Sequence, residues 1–454
     1  MPIPQPFANR YLYHFTHLDN LSSLLRTGFL ANNHPLFPSV GTTSIAAASI
    51  QERRANMAVP CGAKGVVHDY VPFYFGSLSP MLLGVVNKKN IDQSEILYFE
   101  FPISLLLTPG AVFTDASANT GVPPNFYADL SDLDKLNWKE VDSLKWGSAN
   151  ETLRRQRMAE ALVPNSVSLQ TAARVIVWSD EMKEIVEKVV CDAGGVFPLI
   201  EFESRDRRHY FTKFNPPSEK GYSIVTGPKG ILQAYTAACD QVIQTDEVCQ
   251  SAKFETPKAL LMALRENFGC LPHTAELVGL KSENGVHKRT VDLHTKDVVE
   301  KLLDLDEFYE LSPASQGRVE LAAYLHDIGK GPKSRWAWNN GLQKVDPDHP
   351  VRAMPMMVDI FLQYVAKAKV ETVKVLLKLV CYHDLVGEVL GKERDERQIV
   401  EIAEDKEQLD MLFVIGKADV TALVETWWDQ ARADQLYNRC LKAIEARNAT
   451  GIIL

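Results

Sequence analysis

The chain has 454 residues, with 49 Lys and Arg against 58 Asp and Glu, a formal net charge of −9, and it is 46% hydrophobic and 24% charged. This composition excludes a mainly disordered or collagen-like chain, and the length suggests about two to three domains. The acidic balance is shared by both halves and argues against tight, nonspecific binding of long duplex DNA, which draws its affinity from basic groups paired with phosphates.

The N-terminus, MPIPQPFANR, lacks the apolar core of a signal peptide, so the expected location is the cytosol. No membrane span is expected, because no uninterrupted apolar run reaches the roughly 20 residues that cross a bilayer. The longest candidate, Val373 to Val380, is cut by Lys374 and Lys378. Seven cysteines without a CxxC pair speak against both a disulfide framework and a zinc ribbon. In chain order, DNLSSLLRTGFL (19–30) predicts a short helix with Asp19 as N-cap and Gly28 as its stop. LYFEFPISLLL (97–107), ARVIVW (173–178) and FPLIEFE (197–203) predict strands, being short and rich in β-branched and aromatic residues. SDEMKEIVEKVVCDAGG (179–195) predicts a helix capped by Ser179. Mixed short strands and helices make residues 1–211 an α+β domain. Residues 212–255, punctuated by Pro-Pro and Gly-Pro, read as a connecting segment. From 256 to 454 the texture is helical: PKALLMALRENFG, KRTVDLHTKDVVEKLLDL, RVELAAYLHDIGKG, VETVKVLLKLVCYH and EQLDMLFVIGKADVTALVE repeat apolar residues at helical spacing, which predicts an all-α domain.

In YHFTHLDN, His14 and Thr16 share one face of a predicted strand just before the capped helix. A histidine beside a hydroxyl offers directed hydrogen bonds to an amide or ribose, although a histidine satisfied inside the fold looks the same in sequence. Ile50 to Leu82 then holds an arginine pair, Arg53-Arg54, and the aromatic string VHDYVPFYF, which on its own also fits core packing. With VFTDASAN (112–119), DLSDLDKLNW (129–138) and RRQRMAEALVP (154–164) following in order, the set resembles the DarT family of DNA ADP-ribosyltransferases over residues 10–211. The resemblance implies an ADP-ribosyltransferase-type α+β fold, NAD as co-substrate and a base of single-stranded DNA as acceptor. Breaking the bond between ribose C1 and nicotinamide builds oxocarbenium-like positive charge, which a carboxylate stabilises, or the carboxylate deprotonates the nucleophile. Glu160 matches that carboxylate. Arg53 or Arg54 matches the catalytic arginine, with Arg54 preferred. His14, Thr16 and Asn20 would hold the nicotinamide ribose and amide, beside an aromatic wall of Tyr70, Phe73, Tyr74 and Phe75. The segment from Thr120 to Leu153 would read the acceptor strand, with Trp138 and Trp146 stacking on bases at about 1–3 kcal/mol each. Lys139, Lys145, Arg154, Arg155 and Arg157 would add local positive charge. Gly76-Ser77-Leu78 departs from the family pattern, where an arginine is expected.

In the second half, His326-Asp327 ends an amphipathic stretch and runs into Gly329 and Gly331, with His294, His349, His383 and Asp419 in or at the ends of other helical stretches. An isolated HD dipeptide is common by chance. Imidazoles and carboxylates on the ends of packed helices suit one or two divalent ions of Mn, Fe, Ni, Co or Zn, which lower the pKa of bound water toward neutrality. The ordered series TVDLHT, HD, DHP, YH and KADV resembles the HD phosphohydrolase superfamily, and most closely the HD domain of bacterial PII uridylyl-removing enzymes, over residues 285–425. By that resemblance His294, His326, Asp327 and Asp419 would be the basic metal ligands, His349 and His383 would extend the site to a second metal, and Lys330 would hold a substrate phosphate. SRWAWNNGLQKVD (334–346), between the HD pair and His349, is unlike the short connection expected there.

The combined expectation is an NAD-dependent, toxin-like transferase acting on single-stranded DNA, fused to a metal-dependent HD phosphohydrolase that regulates or reverses it, with a separate antitoxin as a further partner. The alternative is ADP-ribosylation of RNA or protein, with the HD domain a nucleotide-sensing module.

Overall fold

The aromatic and β-branched runs of the first half pair into one large sheet in the computed structural model, which describes residues 2–40, 48–119, 122–144, 150–194, 198–202, 209–212, 224–244, 252–283 and 289–450. By contact density the chain divides into Met1–Asn87 with Ile91–Thr212, and Lys88–Asn90 with Lys213–Leu454.

The first unit has strands β1 (Tyr11–His17), β2 (Phe29–Leu30), β3 (Tyr70–Tyr74), β4 (Ile96–Pro102), β5 (Val112–Thr114), β6 (Phe126–Tyr127), β7 (Glu160–Pro164), β8 (Ser166–Val167), β9 (Arg174–Val177) and β10 (Leu199–Phe202). Eight of them form a sheet in the order β10-β9-β4-β1-β3-β7-β5-β6, while β2 and β8 pair separately. The β9–β10 pair is parallel. It is joined through the helix Asp180–Asp192, because parallel neighbours need a crossover. The remaining pairs are antiparallel, and β1 registers along its whole length on β4, from Tyr11 opposite Pro102 to His17 opposite Ile96. Phe73, Phe99, Phe101 and Phe113 are fully buried in the core of this unit. Its longer helices are α1 (Leu21–Thr27), α2 (Ala48–Asn56), α3 (Pro80–Asn87) and α4 (Asp180–Asp192).

Two local expectations differ from the structure. The strand predicted over 97–107 ends at Pro102, and Ile103–Leu107 winds into a 3-10 turn. Proline has no N–H to continue a ladder, and the next N–H, that of Ile103, donates to the carbonyl of Arg10. Asp19 does not cap the first helix. His17 caps a 3-10 turn, Leu18–Asn20, by accepting the Asp19 N–H, and α1 starts only after Asn20. Gly28 does end α1, at φ +66, where a Cβ would lie 2.6 Å from the Val167 carbonyl oxygen.

The second unit is built from helices, of which the longest are α5 (Pro228–Gln244), α6 (Val291–Leu303), α7 (Pro313–Leu325), α8 (His349–Asp359), α9 (Val370–Cys381), α10 (Lys406–Leu423) and α11 (Gln430–Thr450). Among the described residues it forms only isolated β-bridges, at Phe254, Lys281 and Ser282. The segment 212–255, read from sequence as a connection, contains α5, whose Ile231, Ala238, Cys239 and Val242 join the core of this unit. Small Ala and Cys make up half of that stripe, and the Pro and Gly before it obscured the helical period. Leu376, Leu377, Met357 and Trp336 lie fully buried in the same core.

Candidate functional site

Two clusters of chemically capable side chains stand out, one in each unit. In the first unit a cavity of about 390 Å³ opens beside β1, β3 and the start of β7. Glu160, the first residue of β7, pairs with Tyr74 of β3, which fixes where its side chain leaves the sheet. The carboxylate is 1% exposed and is held from two directions. Arg54 Nη1 donates to Oε1 and Oε2 at 3.1 and 2.9 Å, and the Ala118 N–H donates to Oε1 at 2.8 Å. The Glu160 N–H is taken by Thr114 Oγ1 at 3.1 Å. A buried carboxylate oriented by a guanidinium and a backbone N–H cannot swing away, so its charge is aimed before any ligand arrives.

His14 and Thr16 line this cavity with Asn20 and Tyr74. His14 Nδ1 lies 2.8 Å from the Pro72 carbonyl, so this nitrogen carries the proton and Nε2 presents a lone pair. Burial, reinforced by Arg54, lowers its pKa to about 4, which keeps the ring neutral. Thr16 Oγ1 accepts from Asn20 Nδ2 at 2.8 Å, which fixes the hydroxyl's position. Burial and the Glu160 charge both raise the pKa of the Tyr74 phenol.

Of the residues expected here, His14, Thr16, Asn20, Arg54, Tyr70, Tyr74 and Glu160 line one cavity. Phe73 and Phe75 do not: on β3 and just after it, they face the apolar core, because alternate strand residues point to opposite sides. Arg53 is exposed, one position along α2 from the buried Arg54. Trp138 is half-buried against the protein itself. It stacks on Phe7 at 5.0 Å, lies under the Arg10 guanidinium at 3.8 Å and donates its indole N–H to the Leu133 carbonyl. Arg157 is buried and donates to the Ser143 carbonyl at 2.8 Å, and Arg155 donates to the Val122 carbonyl. Arg154 and Lys139 remain exposed, and Trp146 and Lys145 lie outside the described residues. Gly76, the first residue of the stretch where an arginine was expected, has a packing reason: a Cβ would lie 2.6 Å from the Val141 carbonyl oxygen. Sequence reasoning missed Asn32, Gln51 and His68, which hydrogen-bond to one another at 3.0 to 3.2 Å on the cavity wall. They come from three separate segments, so no local motif could mark them.

In the second unit, His294 on α6, His326-Asp327 at the end of α7, His349 at the start of α8, His383 just after α9 and Asp419 on α10 converge, all buried. Their ligand atoms form the overlapping groups His294–His326–Asp327, Asp327–His349–His383 and His383–Asp384–Asp419, each within 4.8 Å. Asp384 was missed from sequence, although it directly follows His383. Three histidines repeat one device: the Nδ1 atoms of His326, His349 and His383 lie 2.7, 2.7 and 2.8 Å from the carbonyl three residues earlier. A nitrogen facing a carbonyl oxygen carries the proton, so Nε2 is the atom turned inward and available to a cation once any proton on it is lost. His349 Nε2 and His383 Nε2 face each other at 3.1 Å. Two lone pairs at that distance repel unless a proton or a metal cation lies between them. Among the described residues, buried His326 Nε2 and Asp327 Oδ1 have no hydrogen-bond partner, and they lie 3.4 Å from Asp327 Oδ2 and 3.3 Å from His349 Nε2 respectively. The residues therefore fit one or two divalent cations, and an all-imidazole and carboxylate donor set matches Mn, Fe, Ni, Co or Zn.

The carboxylates dominate the electrostatics, and with no cation bound a proton takes its place on His326. Burial works against charge on His326, but Asp327 and Asp419 outweigh it and raise its pKa to about 9. Burial opposes ionisation of Asp327 as well, yet Lys330 and His326 hold it well below the usual carboxylate range. Lys330, which the resemblance assigned to a substrate phosphate, donates from Nζ to Asp327 Oδ2 at 2.6 Å.

The first unit defines a class when set beside known proteins. Residues 13–211 match the family model described as ssDNA thymidine ADP-ribosyltransferase, DarT. A DNA ADP-ribosyl transferase of Thermus sp. (strain 2.9) is 34% identical over 194 residues, which is 42% of this chain and 88% of that protein. The chain belongs to the DarT family of DNA ADP-ribosyltransferases through this unit. Among solved structures, Thermus sp. 2.9 DarT in complex with ADP-ribosylated ssDNA is similar with 31% identity and a TM-score of 0.40, over 45% of this chain and 97% of that one. The same protein in complex with NAD+ gives 27% identity and a TM-score of 0.38, over 44% and 98%. The family match ends at residue 211, before the helical unit begins.

Proposed function

We propose that the first unit transfers ADP-ribose from NAD to thymidine in single-stranded DNA. The observation that carries this reading is the Arg54–Glu160 pair, buried at the mouth of a strand in a cavity that also holds neutral His14 and the tied Thr16 hydroxyl. The bond from ribose C1 to nicotinamide breaks, nicotinamide leaves with the electron pair, and C1 bonds to a base nitrogen whose proton passes to Glu160. Before that transfer, the Glu160 carboxylate faces the positive charge that grows on the ribose. Arg54 holds the carboxylate and pairs with phosphate oxygens. His14 Nε2 and Thr16 offer fixed partners to the amide and ribose hydroxyls. The test is mass spectrometry of single-stranded oligonucleotides after incubation with the protein and NAD. One added ADP-ribose on oligonucleotides with thymidine, and none on those without, is expected. A label found only on RNA or on protein would replace this reading with its alternative.

For the second unit we infer a two-cation phosphohydrolase of HD type, with an ADP-ribosylated product or a nucleotide signal as substrate. Support comes from the inward-facing Nε2 atoms of His326, His349 and His383 and from three carboxylates, Asp327, Asp384 and Asp419, around them. Divalent cations held by these residues would supply an acidified water and polarise a phosphoryl oxygen. The chain's own part is to hold the ligand rings by carbonyls and to keep Asp327 ionised through Lys330. Incubating the Glu160→Ala chain and manganese with an ADP-ribosylated oligonucleotide and with a panel of nucleotides tests it. Release of a phosphorylated fragment is expected. Binding without turnover would make the unit a sensor.

A further inference from the structure

The stretch SRWAWNNGLQKVD (334–346), which sets this chain apart from the expected short connection, is built as a brace between two ligand-bearing loops. Arg335, with a side chain only 8% exposed, pairs with Asp346 at 2.6 Å. It also donates to the Gly329 carbonyl, two residues past Asp327, at 3.3 Å, and lies over the Trp336 ring at 4.6 Å. Trp336 is fully buried and donates its indole N–H to the Lys330 carbonyl at 2.7 Å. Asp346 continues the chain of contacts. Its carboxylate accepts the Asp348 N–H at 3.1 Å and lies 3.6 Å from Arg352 Nε, and its carbonyl takes the Nδ1 proton of His349 at 2.7 Å. The two loops already touch: a Cβ on Gly329 would lie 1.9 Å from the His349 carbonyl oxygen.

We propose that Arg335 is a positioning residue for the second cation of the His/Asp cluster. Acting through Asp346, it aims His349 Nε2 at the space shared with Asp327 and His383. The inference rests on the two-cation reading above. The effect centres on that second cation, because the Asp346 carbonyl holds His349, whereas His294 and Asp419 sit on α6 and α10. Partners of this outer kind typically change metal affinity by about 10–100-fold.

The test uses the full chain, stripped with a chelator and reloaded with manganese, with metal content per chain and the electron paramagnetic resonance spectrum as readouts. The unaltered chain should hold two ions with a spin-coupled spectrum. Arg335→Ala should keep one ion and give an uncoupled six-line spectrum. Arg335→Lys should recover part of the second, since it can reach Asp346 but not also the Gly329 carbonyl. Asp346→Asn, which keeps the carbonyl and the shape, should weaken the second ion by about 10-fold or more and leave the first unchanged. Fewer than two ions in the unaltered chain would remove the two-cation reading itself. Two ions there, with two coupled ions also in Arg335→Ala and Asp346→Asn, would overturn the positioning role alone. If Arg335→Ala does not fold, Asp346→Asn decides: selective loss of the second ion supports the role, and full retention overturns it.

Discussion

Glu160 is held by Arg54 and by the Ala118 N–H, so a neutral isostere keeps the shape and removes only the charge. Glu160→Gln is expected to slow ADP-ribose transfer by at least about 10²–10³-fold, the range typical of losing a preorganised electrostatic contact, with a much smaller change in NAD affinity measured by calorimetry. An unchanged transfer rate would place the chemistry elsewhere. His14 leads to a pH prediction. Its pKa is lowered to about 4 in the folded protein from an ordinary 6.5, so between those values the unfolded chain binds more protons. Stability of the first unit should therefore be fully present above about pH 6.5 and fall as the pH drops toward 4. In His14→Gln, denaturant midpoints should show a shallower slope across that window. Much of this site was legible in sequence because RMAEALVP and QERRAN carry its charged residues as local motifs. The Ala118 N–H was not legible, since VFTDASAN shows a backbone donor only once its turn is folded. Asp384 was legible in principle, beside His383, but its neighbours in space lie on other helices.

At the level of single elements, Ser179 accepts the Met182 N–H and caps α4, as its position before an acidic first turn suggested. Ser179→Ala should lower the stability of the first unit by about 1 kcal/mol in urea titration, the usual worth of such a cap. Gly76 is a harder constraint. Its missing Cβ leaves 2.6 Å to the Val141 carbonyl oxygen, so Gly76→Ala should cost about 1–3 kcal/mol through overpacking. Strands and helices with a clear period were readable: β9, α4 and α10 fall where their patterns place them. The misses share a cause. After Pro102 the chain is as apolar as β4 itself, so hydropathy alone could not mark where the ladder stops, and α5 hides behind the glycines and prolines that precede it.

For the whole molecule, the change in texture was visible in sequence as a passage from mixed strands before residue 212, through a segment read as a connection, to continuous helical periods from residue 256. Each unit closes its own apolar core, one around Phe73, Phe99 and Phe101 and the other around Leu376, Leu377 and Met357. Transfer and metal chemistry should then be separable by mutation. Removing metal with a chelator, or changing His326 and Asp327 to alanine, should leave the rate of ADP-ribose transfer within about twofold, because each site is lined by residues of its own unit and independent sites act additively. A large loss of transfer on chelation would show that the units are coupled.

Arg54 and Glu160 stand 106 positions apart in the chain yet share one buried ion pair, with side chains 10% and 1% exposed. Losing either partner alone strands the other as an uncompensated charge, at a cost of about 3–5 kcal/mol, whereas replacing both with apolar residues of similar volume is often neutral. The pair is therefore an evolutionary ratchet. A lineage that drifts toward an inactive transferase meets its steepest obstacle at the first of the two substitutions, and once that is passed the second is favoured. Among decayed relatives the two positions should change together, and a chain retaining only one should be rare.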